Sequence, residues 1–306
     1  MVADLKLAIT GGTGFVGGRL IDLALAAGHG VRALTRRRQA PREGVTWIHG
    51  ALDDQGSLEQ LVDGTDAVIH VAGVINASHP AGFEAGNVTG TSAVLAAAEK
   101  ASVKRFVHVS SLAAREPKLS AYGASKAGSE ALVGASSLSH AIVRPPAVYG
   151  PGDKETLELF RMARRGFVVL PPDGRLSLIH ADDLGQLLLA LAGTAAPEGL
   201  LVEPDDGRHG GWSHAEFGKA LGKALGRSVA TISMPRPMLD AFARIDRWWR
   251  GDRAKLTADR VAYFCHPDWM VDPGRGAPEN LGRPQIVNEQ GLAYTAKWYR
   301  EAGWLK

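Results

Sequence analysis

Leu5-Lys-Leu-Ala-Ile-Thr-Gly-Gly-Thr-Gly-Phe-Val-Gly17 opens as a short apolar run and passes straight into spaced glycines. A helical stripe follows through Leu20, Leu23, Ala24 and Ala27 and stops at Gly28. The order is therefore strand, glycine turn, helix. Gly11 permits the tight turn, Gly14 lets backbone approach a pyrophosphate, and Gly17 allows close helix–strand packing. The helix N-terminus behind the turn offers unpaired N–H groups and partial positive charge to an anion.

Outward from this turn the pattern repeats. Gly30–Thr35, Val45–His49, Ala67–Ala72, Arg105–Ser110 and His140–Arg144 read as further strands. Helical patterns lie between them, around Leu58–Val62, over Asn87–Ala101 and over Tyr122–Ala135. Continuous Val/Ile/Leu strands separated by helices predict a parallel sheet covered on both faces, a doubly wound (Rossmann-like) α/β fold. Residues 1–175 are expected to form this dinucleotide-binding domain, its sheet completed by part of 176–200. Residues 176–306 are expected to form mainly a smaller α/β substrate-binding portion. Six of the seven tryptophans lie beyond residue 200, and Ser213-His-Ala-Glu216 is a capping box. Arg244–Arg253 mixes basic residues with Trp248 and Trp249; such a patch could bind an anionic or membrane partner, and the preferred reading is a helix lying over a small core.

Composition narrows the function. In 306 residues, 45% are hydrophobic and 22% charged, which excludes disorder. The net charge of +3 is too slight and too spread out for nucleic-acid binding. The single cysteine, Cys265, excludes a disulfide framework and a cysteine zinc site, and no histidine pair has ligand spacing, so no metal is expected. No uncharged stretch can span a bilayer, and no signal-peptide pattern precedes the first strand. A cytoplasmic protein without a membrane partner is the expectation.

The residues after the second strand bear on the cofactor. NAD-preferring folds place an acid there for the adenosine ribose. This chain has Thr35-Arg36-Arg37-Arg38, with no acid before Glu43. An arginine fork suits a ribose 2′-phosphate, which predicts NADP over NAD, with Arg36 as the binding residue. Tyr122-Gly-Ala-Ser-Lys126 sets a phenol and an ammonium four residues apart on one helix face, and Ser110-Ser111 close the fifth strand.

Phosphate loop, basic second turn, strand-end serine and Tyr-x-x-x-Lys, in that order, resemble the short-chain dehydrogenase/reductase superfamily. Asn87-Val-Thr-Gly-Thr91, Arg144-Pro-Pro-Ala-Val-Tyr-Gly-Pro-Gly-Asp153, Ile179-His-Ala-Asp-Asp-Leu184 and Leu281-Gly-Arg-Pro284 resemble motifs of its extended, epimerase/dehydratase-like branch. The resemblance implies that Tyr122 exchanges a proton with the substrate oxygen while hydride moves to or from nicotinamide. Lys126 would lower the phenol's pKa and bind the nicotinamide ribose, and Ser111 would stabilise charge on the substrate oxygen. It implies a cofactor site of Gly11, Thr13, Gly14, Phe15, Val16 and Gly17, with Ala51 and Leu52 flanking adenine. Ala72, Gly73, Tyr122, Lys126, Pro145 and Val148 complete it. The helices carrying Asn87 and Tyr122 have Ala-rich faces, which in relatives often pair across a two-fold. A homodimer is one reading, and the sequence leaves the oligomeric state open.

Leu112-Ala113 stand where sugar-nucleotide dehydratases of this branch carry an Asp-Glu pair, which argues against dehydration. Two main readings remain. The first is an NADP-dependent oxidoreductase interconverting a carbonyl and a secondary alcohol on a small or moderately hydrophobic molecule. The alternative is a nucleotide-sugar epimerase with retained NAD, for which a basic cleft around Arg144 and Arg175 would hold the diphosphate. A non-enzymatic dinucleotide sensor is a third reading, but relatives of that kind usually lose the Tyr/Lys pair.

Overall fold

The computed structural model describes all residues except 1–3, 194, 195 and 255. In chain order the first elements are β1 (Lys6–Thr10), α1 (Phe15–Ala26), β2 (Gly30–Thr35), β3 (Val45–His49), α2 (Gln55–Val62) and β4 (Ala67–His70). Then come α3 (Pro80–Phe83), α4 (Gly90–Lys100), β5 (Arg105–Val109), α5 (Ala121–Ala135) and β6 (His140–Val143). The later half holds β7 (Ala147–Tyr149), α6 (Lys154–Arg164), β8 (Phe167–Leu170), β9 (Arg175–Leu176), β10 (Leu178–His180), α7 (Ala181–Ala192) and β11 (Leu200–Val202). It ends with β12 (Trp212–Ser213), α8 (His214–Ala224), β13 (Ala230–Ser233), α9 (Arg236–Arg250), α10 (Ala258–Phe264), β14 (Asp268–Trp269) and α11 (Asn288–Glu301).

Seven strands make one parallel sheet in the order β11-β6-β5-β4-β1-β2-β3. The order reverses direction between β1 and β4, the switch point beside which doubly wound sheets bind ligands. Strands β1, β4 and β5 are almost wholly buried, which is why they read as unbroken apolar runs rather than alternating ones. Leu58, Leu61, Val94, Ala98, Val133 and Phe106 form one core against the sheet. The helices start where short polar side chains stop the chain from extending: Asp54 caps α2, Ser120 caps α5 and Asp153 caps α6. The segment read as one helix over 87–101 begins differently, as a π-helix over Glu84–Thr89 that passes into α4.

The chain divides into two compact units. The first comprises 1–144, 184–203 and 277–283, and the second 145–183, 204–276 and 284–306. The division falls at Arg144/Pro145 rather than near residue 175, because α6 and β8 share a core with α8 and α11. Leu157, Phe160, Val168, Phe217, Leu221, Leu292 and Tyr299 are buried together there. The Tyr299 hydroxyl donates to the Asp153 carbonyl at 2.5 Å, tying α11 to the start of α6. Most of the late tryptophans are structural: Trp212 and Trp269 are buried, and Trp298 and Trp304 pack against this core. Trp248 and Trp249 are not, being 87% and 83% exposed. Their helix packs on the rest of the unit through Ala243 on its other side, and these two tryptophans project into solvent.

Phe106, at the centre of β5, is fully buried in the sheet core. Phe106→Ala is expected to lower the unfolding free energy by about 3–5 kcal/mol in a urea titration, through lost transfer energy and the cavity left behind.

Candidate active site

The glycine turn sits at the switch point. Gly11 has φ +72°, and a side chain there would meet the Ala72 backbone nitrogen at 2.7 Å; one at Gly17 would meet the Gly11 carbonyl at 2.2 Å. The turn and α1 thus approach β1 and the exit of β4 at backbone distance. Gly14 caps α1 without a side-chain hydrogen bond, and no acid occupies the first turn. The N–H groups of the first turn, among Phe15, Val16 and Gly17, therefore face a positive helix end with no internal partner, which fits a dinucleotide pyrophosphate. Thr13 and Gly14 are exposed beside it.

A chain of hydrogen bonds fixes the exit of β4. The Ala72 N–H donates to Thr10 Oγ1 at 3.1 Å, and Thr10 Oγ1 lies 2.7 Å from His70 Nδ1. His70 Nε2 lies 3.0 Å from Thr91 Oγ1, whose hydroxyl donates to the Asn87 carbonyl at 2.6 Å. Because Thr91 has already given its proton, Nε2 must carry the imidazole hydrogen and Nδ1 must accept from Thr10. Burial pulls the His70 pKa down to about 3, with the Lys126 charge adding to that effect, so the ring is neutral. The Asn87 carboxamide accepts from Val74 N at 2.6 Å and donates to Val74 O and to Ser125 Oγ, both at 2.9 Å. It clamps the loop after β4 to α5 and does not cap a helix. A side chain at Gly73 would meet Asn87 Oδ1 at 3.2 Å and Lys126 Nζ at 3.7 Å, which locates the ammonium beside Gly73.

Tyr122 and Lys126 lie on α5. The Lys126 ammonium is buried and donates to the Val109 carbonyl at 2.8 Å. Burial lowers its pKa to about 8, against the opposing pull of Glu130. Ser111 Oγ accepts from the Ala113 N–H at 3.2 Å, so its own proton is free to donate to the Tyr122 phenol, with which it is hydrogen-bonded. A side chain at Gly123 would meet the Ala113 carbonyl at 2.7 Å, so glycine between Tyr122 and Lys126 lets α5 close on the turn that Ser111 caps. The Phe83 ring stands 5.9 Å from the Tyr122 ring. Burial raises the phenol's pKa above its ordinary value, and the Ser111 bond only partly offsets this. Lys126, expected to lower it, is not among the groups that move it, so in the protein alone burial dominates and the phenol stays protonated at neutral pH.

Behind these groups runs an ion network. The Ser110 hydroxyl donates to Glu130 Oε1 at 2.5 Å. Arg144 grips both oxygens of Glu130, at 2.9 and 2.7 Å, and reaches Glu203 at 3.2 Å, while Arg115 reaches Glu203 at 3.3 Å. Arg144 is thus engaged inside the first unit rather than lining an anion cleft. Arg175 donates to the Gly210 and Gly211 carbonyls. Asp183 lies within the first turn of α7 and accepts from Gln285 N and Ile286 N at 2.9 and 3.0 Å. His180 is buried edge-on to Tyr149 at 5.2 Å.

The structure therefore brings Gly11, Ala72, Gly73 and Lys126 together, and Ser111 with Tyr122. Thr35 turns the second-strand loop by donating to the Arg37 carbonyl at 2.7 Å, leaving Arg36, Arg37 and Arg38 exposed. Ala51 and Leu52 follow β3, where the Ala51 carbonyl accepts from Asp54 N and Leu52 packs on the core. Pro145 and Val148 belong to the second unit, Val148 pairing with Ile179. Sequence reasoning missed Glu130, Glu203 and Phe83. Glu130 had a signal, standing four residues beyond Lys126 on the same helix face. No group of three or more His, Cys, Asp or Glu among the described residues could hold a metal ion. No helix among them is long and apolar enough to cross a membrane.

Residues 7–199 match the NAD dependent epimerase/dehydratase family, and the chain belongs to it. It is an NAD(P)-dependent enzyme of the extended short-chain dehydrogenase/reductase type. Over its whole length it is 38% identical to a protein named ceramide reductase from Caulobacter vibrioides (strain NA1000 / CB15N), covering 98% of that protein. It is 31% identical to a 2-alkyl-3-oxoalkanoate reductase from Stenotrophomonas maltophilia (strain K279a), over 94% of this chain and 97% of that one. Among solved structures, the Bordetella bronchiseptica enzyme WbmG in complex with NAD and UDP aligns over 99% of this chain and 97% of its own. Its TM-score is 0.78 at 20% identity, a likeness of fold.

The buried ammonium makes a signed prediction. Lys126 titrates near 8 when folded and at an ordinary lysine value when unfolded, so the unfolded chain binds the extra proton between those values. Its cost is complete below about pH 8 and is relieved as pH rises. The stability of Lys126→Met relative to wild type should fall by about 2 kcal/mol between pH 8 and pH 10 in paired urea titrations, whatever its sign at pH 8. A difference independent of pH would mean that the ammonium is not desolvated.

Proposed function

We propose that the protein is an NADP-dependent oxidoreductase that interconverts a carbonyl and a secondary alcohol, acting on a substrate with a long apolar chain. The observation that carries the reading is the Ser111–Tyr122 hydrogen bond beside a buried Lys126 at the switch point of the sheet. When bound, the dinucleotide supplies or accepts the hydride. The chain's own groups then have separable tasks. Tyr122, protonated at neutral pH by its burial, gives its hydroxyl proton to the substrate oxygen, which suits the reducing direction. Ser111, with one hydroxyl proton, turns it from the phenol to the substrate oxygen as charge develops there. Lys126 holds the nicotinamide-side ribose from its place beside Gly73. The N–H groups at the start of α1 hold the pyrophosphate, and Arg36 holds the 2′-phosphate.

Two observations favour this reading over a nucleotide-sugar epimerase. Arg144 is committed to Glu130 and Glu203 and leaves no basic cleft there for a diphosphate. Of four relatives matched over nearly their whole length, the more identical pair, at 38% and 31%, are named as a ceramide reductase and a 2-alkyl-3-oxoalkanoate reductase, both names of molecules with alkyl chains. The other two, at 28%, are named as a putative dihydroflavonol 4-reductase and a dTDP-glucose 4,6-dehydratase. The substrate class is taken from the names of the first pair.

Oxidation of NADPH, followed by absorbance with long-chain oxo-lipids presented in detergent, tests the chemistry. Tyr122→Phe keeps the ring and removes the proton, so kcat should fall by roughly a hundredfold or more with dinucleotide binding retained. Undiminished turnover would remove Tyr122 from the mechanism. For the cofactor, Arg36→Ala should weaken NADPH binding roughly tenfold or more and leave NADH binding unchanged. Equal affinity of wild type for the two dinucleotides would overturn the NADP assignment.

A further inference from the structure

Helix α9 is the most unusual surface in the molecule. It reads Arg236-Pro-Met-Leu-Asp-Ala-Phe-Ala-Arg-Ile-Asp-Arg-Trp-Trp-Arg250. Met238, Phe242, Ile245 and Trp249 recur at i, i+4, i+7 and i+11, one stripe of a helix, with Trp248 at its margin. All five side chains are exposed, from 46% at Phe242 to 87% at Trp248. They are five of the nine large hydrophobic side chains found exposed among the described residues, so the exposure is concentrated rather than scattered. The helix is held by its other side. Ala243 is buried, Leu239 and Asp246 are half-buried, α10 packs on it, and the Asp246 carboxylate accepts from Leu256 N at 2.9 Å.

The charges on the helix have one sign in excess. Arg236 pairs with Asp240 and Arg250 with Asp246, at 3.8 and 3.3 Å. Arg244 and Arg247 are exposed and form no ion pair among the described residues. From residue 236 to 255 the sequence has six basic and three acidic side chains, a net +3 that equals the formal charge of the whole chain. An apolar stripe ending in two tryptophans, backed by unpaired arginines, is the composition of a helix that lies in a membrane interface. The rings enter the headgroup boundary, and the arginine stems lie along it while their guanidinium groups reach phosphates.

We propose that α9 docks the protein on the surface of an anionic phospholipid bilayer, with Trp248, Trp249, Ile245, Phe242 and Met238 inserted and Arg244 and Arg247 on lipid phosphate. This departs from the expectation of no membrane partner, which rested on the lack of a spanning segment; a peripheral helix needs none. Charge complementarity commits the face to an anionic surface rather than to a second copy of the chain, whose own α9 carries the same positive excess. The proposal stands on α9 alone and holds whatever the substrate is.

Flotation of the full-length protein with vesicles of phosphatidylcholine and phosphatidylglycerol in equal parts tests it, with phosphatidylcholine vesicles alone as control. Wild type should float with the mixed vesicles, weakly with the neutral ones, and less as salt is raised. Trp248→Ser/Trp249→Ser and, separately, Arg244→Glu/Arg247→Glu should each reduce partition about tenfold or more while leaving the urea midpoint unchanged, since none of these side chains is buried. Flotation equal in wild type and the tryptophan variant, or no flotation of wild type, would overturn the proposal. So would a wild-type dimer in sedimentation velocity that the tryptophan variant splits without any vesicle binding, which would assign the stripe to a second copy.

Discussion

A charged ammonium in the interior is the constraint around which the first unit is arranged. Lys126 donates to the Val109 carbonyl, and Glu130 attracts it from one helical turn away, yet desolvation still dominates its titration. Every polar group nearby is adjusted to that charge. His70 and His108 stack at 5.5 Å beneath it, and both are held neutral, first by burial and then by the ammonium itself. Two imidazolium ions there would add like charges to an already costly one. Glu130 supplies the compensating negative charge, and a carboxylate so placed needs its own partners. It has them in Arg144 and Ser110, and Arg144 in turn is shared with Glu203, whose side chain is fully buried. Breaking such a chain at any member leaves a charge uncompensated in the interior.

Neutral histidines are useful here because a ring nitrogen can be held as a donor or as an acceptor by its partner, although His108 Nδ1 is buried without one among the described residues. Ser129 gives its proton to the Lys126 carbonyl and so must accept from His108 Nε2, which repeats the tautomer deduced for His70. In His70 the same tautomer lets the ring bridge Thr10 at the end of β1 and Thr91 in α4. That bridge spans the switch point. It ties the glycine turn, the exit of β4 and the helix that presents Asn87 into one hydrogen-bonded piece, so the backbone around Gly11, Ala72 and Gly73 is set by side chains buried in the sheet. The π-helix over Glu84–Thr89 belongs to the same arrangement: it carries Asn87, whose carboxamide spans Val74 and Ser125.

The strands were legible because a parallel sheet buried on both faces needs unbroken apolar runs, and these show in a single sequence. The glycine turn and the Tyr-x-x-x-Lys pair were legible for a related reason, since both are local spacings on a turn and a helix. What was hidden depends on distant pairing. Arg144 meets Glu130 and Glu203 across 14 and 59 residues, and nothing in the local sequence distinguishes a buried ion pair from a basic cleft. Tyr122 shows the same limit. The neighbouring ammonium is visible in the sequence, but the burial that raises the phenol's pKa is a property of the packed structure. For α9 the amphipathic spacing was plain, whereas which face would be covered was not: periodicity reports that a helix has two sides, and only packing reports which side is satisfied.

Net charge illustrates the difference between a total and a field. Taken over 306 residues, +3 is close to neutral and excludes a strongly basic protein. Residues 236–255 hold all of that excess, so the remainder of the chain has a formal charge of zero. At physiological ionic strength a surface charge is felt over about 8 Å, and an approaching anionic surface responds to the local cluster rather than to the sum. Within that range α9 presents arginines beside exposed tryptophans, whereas the exposed run of Arg36, Arg37 and Arg38 has no aromatic side chain exposed with it among the described residues. Other surface charges pair off, as in Lys100 with Glu59 and Arg42 with Asp22. A mean composition can therefore be ordinary in a molecule that concentrates exposed aromatic and cationic side chains on one helix of fifteen residues.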